Sequence, residues 1–155
     1  MYSELADQLW HAIDDAERDL RRVSDEVSSE SRNGGGWTRR QELGHLIDSC
    51  VNNHLRIVTA ALRGHYEGPG YEQRAWVDLH AWGELPWNRL VSLWLEHNRA
   101  LERVVQRIPV ENFVAECRIE GHEPMTLDEL VRDYMVHMRH HVNHIIQGCL
   151  KKVLH

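Results

Sequence analysis

The sequence predicts an all-α protein, a four-helix bundle with a long loop between helices 2 and 3. Three observations carry this expectation. Four segments place apolar residues at helical spacing, with charged residues between them. Two Thr-x-x-Gln/Glu patterns stand where capping boxes would open helices. No two segments alternate strongly enough to pair as strands. The 155 residues suit one domain, residues 1–155, whose core needs no disulfide scaffold.

The first helix is expected from about Tyr2 to Val27, on Leu5, Leu9, Ile13, Leu20 and Val23. The polar run SSESRNGGG ends it, because three glycines continue a helix only at high entropic cost. Thr38, with Gln41 as its return partner, opens the second helix. That helix carries Leu43, Leu46, Ile47, Cys50, Ile57, Val58 and Ala61 to Arg63, and Gly64, Gly68, Pro69 and Gly70 close it. Tyr71 to Leu85 is the least periodic stretch and reads as a functional connection, a lid rather than a linker. Pro86 suits the first position of a third helix that runs to Ile108 and stops at Pro109. Val110 to Met125 is mixed, with one short alternating piece, VAECRIE, and a turn at Gly121. Thr126 and Glu129 start a last helix that could reach almost to the C-terminus. The long second connection admits a parallel crossover as well as an up-down path, so periodicity leaves the connectivity open.

Charge and cysteine content narrow the function classes. The net charge is −6 and no basic stripe appears, which argues against a nucleic-acid partner. There is neither an apolar run long enough for a membrane span nor a signal-peptide pattern, so a cytoplasmic location is expected. Cys50, Cys117 and Cys149 are odd in number and far apart, as for reduced thiols packed as small hydrophobes. The sequence holds 12 histidines, and their clustering is the feature that asks for a chemical reason.

On the last helix, YMVHMRHHVNHII sets His137 and His141 one turn apart, roughly 40° apart around the axis. Two imidazoles so placed can converge on one ion. His144 lies roughly 20° to the other side of His137, and His140 points away by about 60°. Spacing therefore leaves three candidates on one face. A further ligand must come from elsewhere, and helix two offers His45 and His54. The apolar stripe through Leu43, Cys50, Ile57 and Ala61 contains His54, whereas His45 falls with Ser49, Asn52 and Arg56. Periodicity leaves the two unresolved.

The segments GGWTRRQELGHLIDSCVNNHLRI and YMVHMRHHVNHI, with YEQRAW between them, resemble signature segments of the DinB-like metal-binding four-helix bundles. The likeness is nearest to their YfiT-like group of metal-dependent hydrolases. It implies a divalent metal, zinc by default and nickel as an alternative, held by His45 (in HLID), His137 and His141. It favours His45 over His54 and sets His144 aside. It also implies that Ser49 and Asn52 line a wet pocket at the bundle mouth, with Tyr71 and Trp76 as further pocket walls. Trp10 and Trp94 are expected in the core.

Three neutral imidazoles leave an ion with its full charge and an open position for water, the layout of a catalytic site. Asp48 and Asp133 lie within helical reach of His45 and His137 and are candidates to orient those rings. No catalytic base declares itself; His80 and Glu72 are in the loop without supporting spacing, and Arg56 could anchor that loop through Glu72. The leading expectation is a metal-dependent hydrolase acting on a small molecule. The alternatives are a thiol-dependent S-transferase or isomerase, with a low-molecular-weight thiolate on the metal, and a non-enzymatic metal-binding module. A homodimer through helix faces is compatible with any of them.

Overall fold

The computed structural model describes residues 4–31 and 35–149. Four long helices form the bundle: α1 (Glu4–Arg21), α3 (Arg39–Arg63), α5 (Trp87–Arg107) and α6 (Leu127–Ile146). Two short helices, α2 (Asp25–Ser28) and α4 (Gln73–His80), lie in the connections. A small sheet, β1 (His65–Gly68), β2 (Glu116–Ile119) and β3 (Met125–Thr126), closes one end.

Each long helix packs on two neighbours. α5 touches α1 and α3, and α6 touches the same two from the other side. Helices α1 and α3 therefore lie across a diagonal. Residues just before α5 meet the start of α3, where Trp82 packs on Gly44, while Asn112, beyond α5, bonds Ala61 near the end of α3. These contacts make α3 and α5 parallel, and the long connection between them is the crossover. Helix α6 runs antiparallel to α3, with Arg39 at its C-terminal carbonyls.

Local chemistry explains the boundaries. Both capping boxes form: Thr38 Oγ1 accepts from Gln41 N at 3.2 Å and Thr126 Oγ1 from Glu129 N at 3.1 Å, with each N3 side chain returning the bond. Gly64 closes α3 in the left-handed region, φ 82°. Trp94, like Leu9, Ile13, Leu43, Leu90 and Leu101, is fully buried in the apolar core. Cys50 and Cys117 are buried and Cys149 half-buried, all unbridged.

Several expectations are corrected. The first helix is broken at Arg22–Ser24, because Ser24 Oγ accepts from Val27 N and starts α2 instead. Its expected start at Tyr2, part of its glycine stop, and any extension of α6 past Cys149 fall outside the described residues. Pro86 is the N-cap of α5, not its first helical residue, and Asp25 Oδ1 accepts the Trp87 N–H at 2.8 Å. The Tyr71–Leu85 stretch is structured, with α4 and a 3-10 turn at Trp82–Glu84. Strands do form: VAECRIE supplies β2, paired parallel to β1 and antiparallel to β3. Trp10 is 40% exposed, with the Arg99 guanidinium 5.4 Å from its ring centroid, so it is no core residue.

Gly44 shows how closely the crossover sits on α3. A Cβ there would lie 2.2 Å from the Trp82 indole, itself buried and hydrogen-bonded. Alanine normally stabilises a helix relative to glycine by about 1 kcal/mol. Here overpacking outweighs that gain. Gly44→Ala is expected to destabilise by about 1–3 kcal/mol, read as a lowered urea midpoint.

Candidate metal centre

The site begins with register. Arg39 opens α3 and is buried, and its Nε donates to the Ile145 carbonyl at 2.7 Å and its Nη2 to the Gln147 carbonyl at 3.2 Å. These carbonyls end α6 and have no partner within the helix. One turn further along α3, Glu42 meets His141. One turn beyond that, His45 meets His137 and His141. The antiparallel helices thus bring together residues far apart in sequence.

The three imidazoles form a tight triangle. Ring centroids are 5.3 Å apart for His45 and His137, 4.8 Å for His45 and His141, and 4.5 Å for His137 and His141. One nitrogen from each lies within 4.8 Å of the others. A tetrahedral ion with nitrogens at about 2.0–2.1 Å holds them about 3.4 Å apart, so small side-chain adjustments suffice. His45 is 1% exposed, and neither of its ring nitrogens has a hydrogen-bond partner. A buried polar ring left this way is costly unless another acceptor of its lone pair is present. The donor set therefore fits a divalent ion.

Electrostatics keep the lone pairs free. Burial, with repulsion from His141 and His137, pushes the His45 pKa down to about 4. Burial, with repulsion from His141 and His140, brings His137 down to about 4 as well. Both rings are neutral near pH 7, the state that binds metal. The Glu42 carboxylate, itself buried, lies 3.0 Å from His141 Nδ1 and directs that ring's Nε2 towards the other two histidines. Sequence reasoning missed Glu42. An acidic residue in the first turn of a helix ordinarily reads as a partner of the helix dipole, and its partner 99 positions away leaves no local signal.

The remaining candidates are placed as follows. His54 lies close enough to His97 of α5 to feel its charge, away from the triangle. His144 Nδ1 lies 3.5 Å from Glu42 Oε1, at the outer end of the cluster, and Glu42, His141 and His144 form a second group of converging ligand atoms. His140 is exposed, with its ring centroid 4.1 Å from that of His144. Asp48 is buried but does not reach His45. Its two oxygens accept from Trp82 Nε1 at 3.2 Å, and His80 Nδ1 stands 3.3 Å away, so it braces the crossover on α3. His80 itself stacks on Trp82. Glu72 caps no backbone with its side chain.

A cavity of about 290 Å³ adjoins His137. Ser49, Asn53, Arg56, Tyr71 and Asp133 are among its lining residues. Two expected pocket residues are absent from its wall. Asn52 turns back to donate to the Asp48 carbonyl at 2.9 Å, and Trp76 packs edge-on behind Tyr71 at 5.3 Å. Asp133 lines the cavity next to His137 but makes no hydrogen bond to it. Arg56 anchors the connection through the Pro69 carbonyl at 3.3 Å, not through Glu72.

The antiparallel helices α3 and α6 thus converge three histidines within a helical bundle. The DinB superfamily model matches residues 4–145, and the chain belongs to that superfamily. It is 24% identical over 144 residues to a "putative metal-dependent hydrolase" of Oceanobacillus iheyensis, covering 90% of this chain and 83% of the relative. A Bacillus mycoides protein of the same description is 26% identical, covering 92% and 84%. The solved structure of YfiT from Bacillus subtilis, described as an unusual four-helix bundle topology, superimposes with a TM-score of 0.82 at 20% identity, covering 99% of this chain and 90% of that one. The mycothiol-dependent maleylpyruvate isomerase shares the fold with a TM-score of 0.76 at 16% identity. This chain covers 92% of its own length there but only 59% of the isomerase.

The depressed histidines set a pH dependence for the metal-free protein. A folded pKa near 4 against an unfolded value near 6.5 means that the unfolded chain binds more protons between those limits. Stability is then complete above about pH 6.5 and falls as pH drops towards 4. For buried His45 the loss is roughly 3 kcal/mol. Urea midpoints measured from pH 7.5 to 4 should fall in that window, and His45→Gln should flatten the slope.

Proposed function

We propose that this chain is a metal-dependent enzyme acting on a small molecule, with hydrolysis as its reaction and His45, His137 and His141 as the ligands of a divalent ion. The observation that carries the reading is the buried His45 ring, whose two nitrogens lack partners while two more imidazoles close on it. The relatives described as metal-dependent hydrolases support it. Zinc is the expected ion, with nickel also acceptable to imidazole.

A bound ion held by three neutral ligands would supply Lewis acidity, lowering the pKa of water and polarising a substrate carbonyl. The chain's own groups do the rest. Glu42 accepts from His141 Nδ1 and fixes that ring's tautomer and direction. Burial keeps His45 and His137 unprotonated at neutral pH. Tyr71, pushed up to about 12 chiefly by burial, keeps its phenolic proton and can donate it to a ligand in the cavity. Asp133 lines the cavity beside His137 and is solvent-exposed.

A second reading has a specific support. The same fold serves a mycothiol-dependent isomerase, so a low-molecular-weight thiol could be the partner here, with its thiolate at the metal. Zinc-loaded protein titrated with a thiol panel separates the two: metal-dependent thiol binding favours group transfer, and turnover of ester or amide substrates without thiol favours hydrolysis.

Metal titration with elemental analysis tests the ligand set. His45→Ala, His137→Ala and His141→Ala should each abolish tight binding, while His54→Ala and His144→Ala should retain it. Glu42→Gln should fold and weaken metal affinity by about 10–100-fold, the usual cost of losing the carboxylate behind a ligating histidine. Loss of metal in His54→Ala, or unchanged affinity in His45→Ala, would overturn the assignment.

A further inference from the structure

Beyond the histidine triangle, the wall of the adjoining cavity carries a buried cation that has no charged partner among the described residues. Arg56 is 7% exposed. A guanidinium brings five N–H donors, and among the described residues two are engaged, by Asn53 Oδ1 at 3.5 Å and the Pro69 carbonyl at 3.3 Å. Both acceptors are uncharged and both bonds are long. Among the described residues no carboxylate forms an ion pair with it. A buried guanidinium is ordinarily paired, since taking its charge out of water is expensive.

Its surroundings hold the group ready. The guanidinium carbon lies 5.9 Å from the Tyr71 ring centroid, so the planar fork rests on an aromatic face, and Pro69 anchors its edge. Arg56, Asn53, Ser49 and Tyr71 line the same cavity as His137. The cavity's own carboxylates, Glu120 and Asp133, are solvent-exposed and leave the guanidinium unpaired. In a chain of net charge −6, the Arg56 guanidinium makes this part of the wall a local attractor for anions.

We infer that Arg56 is the carboxylate-binding residue of the site, and that the ligand is a small elongated molecule with its carboxylate on Arg56 and its reacting group at the histidine triangle. The inference rests on the metal-centre reading for the second end only. His45 and Arg56 share one face of α3, eleven residues apart, which is about 16 Å of helix axis before the side chains reach towards each other. The 290 Å³ cavity limits the bulk that can lie between. Planar bidentate recognition explains arginine in place of lysine. The carboxylate can belong to the molecule acted on or to a thiol partner.

Calorimetric titrations with two probe pairs test this. Zinc-loaded protein receives 6-mercaptohexanoate or 6-mercaptohexanol, and metal-free protein receives adipate or the neutral hexanamide. In wild type the acid of at least one pair should bind at least about tenfold tighter than its neutral partner. Arg56→Gln should erase that preference while leaving zinc affinity and mercaptohexanol binding unchanged, and Arg56→Lys should keep part of it. A preference in the thiol pair assigns the carboxylate to a thiol, and one in the adipate pair alone assigns it to the molecule acted on. The metal-free pair reads Arg56 even if zinc binding fails, so the two readings fail separately. If neither pair shows a preference, or if Arg56→Gln retains it, Arg56 is only a loop anchor and the proposal falls.

Discussion

The grip of Arg39 on the last carbonyls of α6 is the constraint on which the site depends. It satisfies two orphan acceptors, places a positive charge at the negative end of the helix dipole, and fixes how far α6 extends along α3. A slip of one turn would move α6 by about 5.4 Å and carry His137 past His45. The same guanidinium reaches the Val27 and Glu30 carbonyls at 3.4 Å, tying the α1–α3 connection to the same point. One buried side chain therefore sets the histidine register, and no local pattern on α6 could set it alone.

That register supports a polar seam through an apolar bundle. Glu42, His45, Asp48, Ser49, Asn53 and Arg56 are all buried on one helix. Most are matched: Glu42 by His141, Asp48 by Trp82, Asn53 by the Ser49 carbonyl at 2.9 Å. The seam extends to α6 and α5, where the Tyr134 hydroxyl donates to Asn98 and Asn98 donates to the Trp94 carbonyl. The exceptions carry the information. His45 has no protein partner, and Arg56 has only weak uncharged ones. Trp94 Nε1 and Arg99 Nη1 are also buried without a partner, but of the groups on this seam only His45 lacks a hydrogen bond on both ring nitrogens, beside two further imidazoles.

Much of the architecture was legible because it is local. The boxes at Thr38 and Thr126 and the stop at Gly64 are written within a few residues. So is the one-turn spacing of His137 and His141. The choice between His45 and His54 was not, for a geometric reason. Helix α3 packs on α5, on α6 and on the crossover, so its buried arc is wide. Its polar seam, His45, Ser49 and Arg56, has the spacing of a solvent face yet lies inside. Periodicity cannot separate a wet interior from an exterior, and only resemblance pointed to His45. Contacts between distant segments left no trace either: Asp25 at the start of α5, Glu42 behind His141, and β1 beside β2.

The same fold occurs in YfiT and in a mycothiol-dependent isomerase, and the crossover is where its cavity wall can vary. The histidine triangle belongs to α3 and α6, which the bundle needs in any case. Half of the cavity wall, by contrast, comes from outside the long helices: Gly70 and Tyr71 ahead of α4, Gln73 at its start, and Ile119 to Met125 across β2, the turn and β3. The α3-to-α5 path must travel the length of the bundle because those helices are parallel, and it lays both core residues, Val77 and Trp82, and a cavity-wall residue, Tyr71, beside α3. Tyr71 and the Pro69 carbonyl reach Arg56 only because the crossover lies down on α3, held by Trp82 against Gly44 and by Asp48 beneath it. The triangle can therefore stay constant in such a fold while the cavity wall changes with these segments.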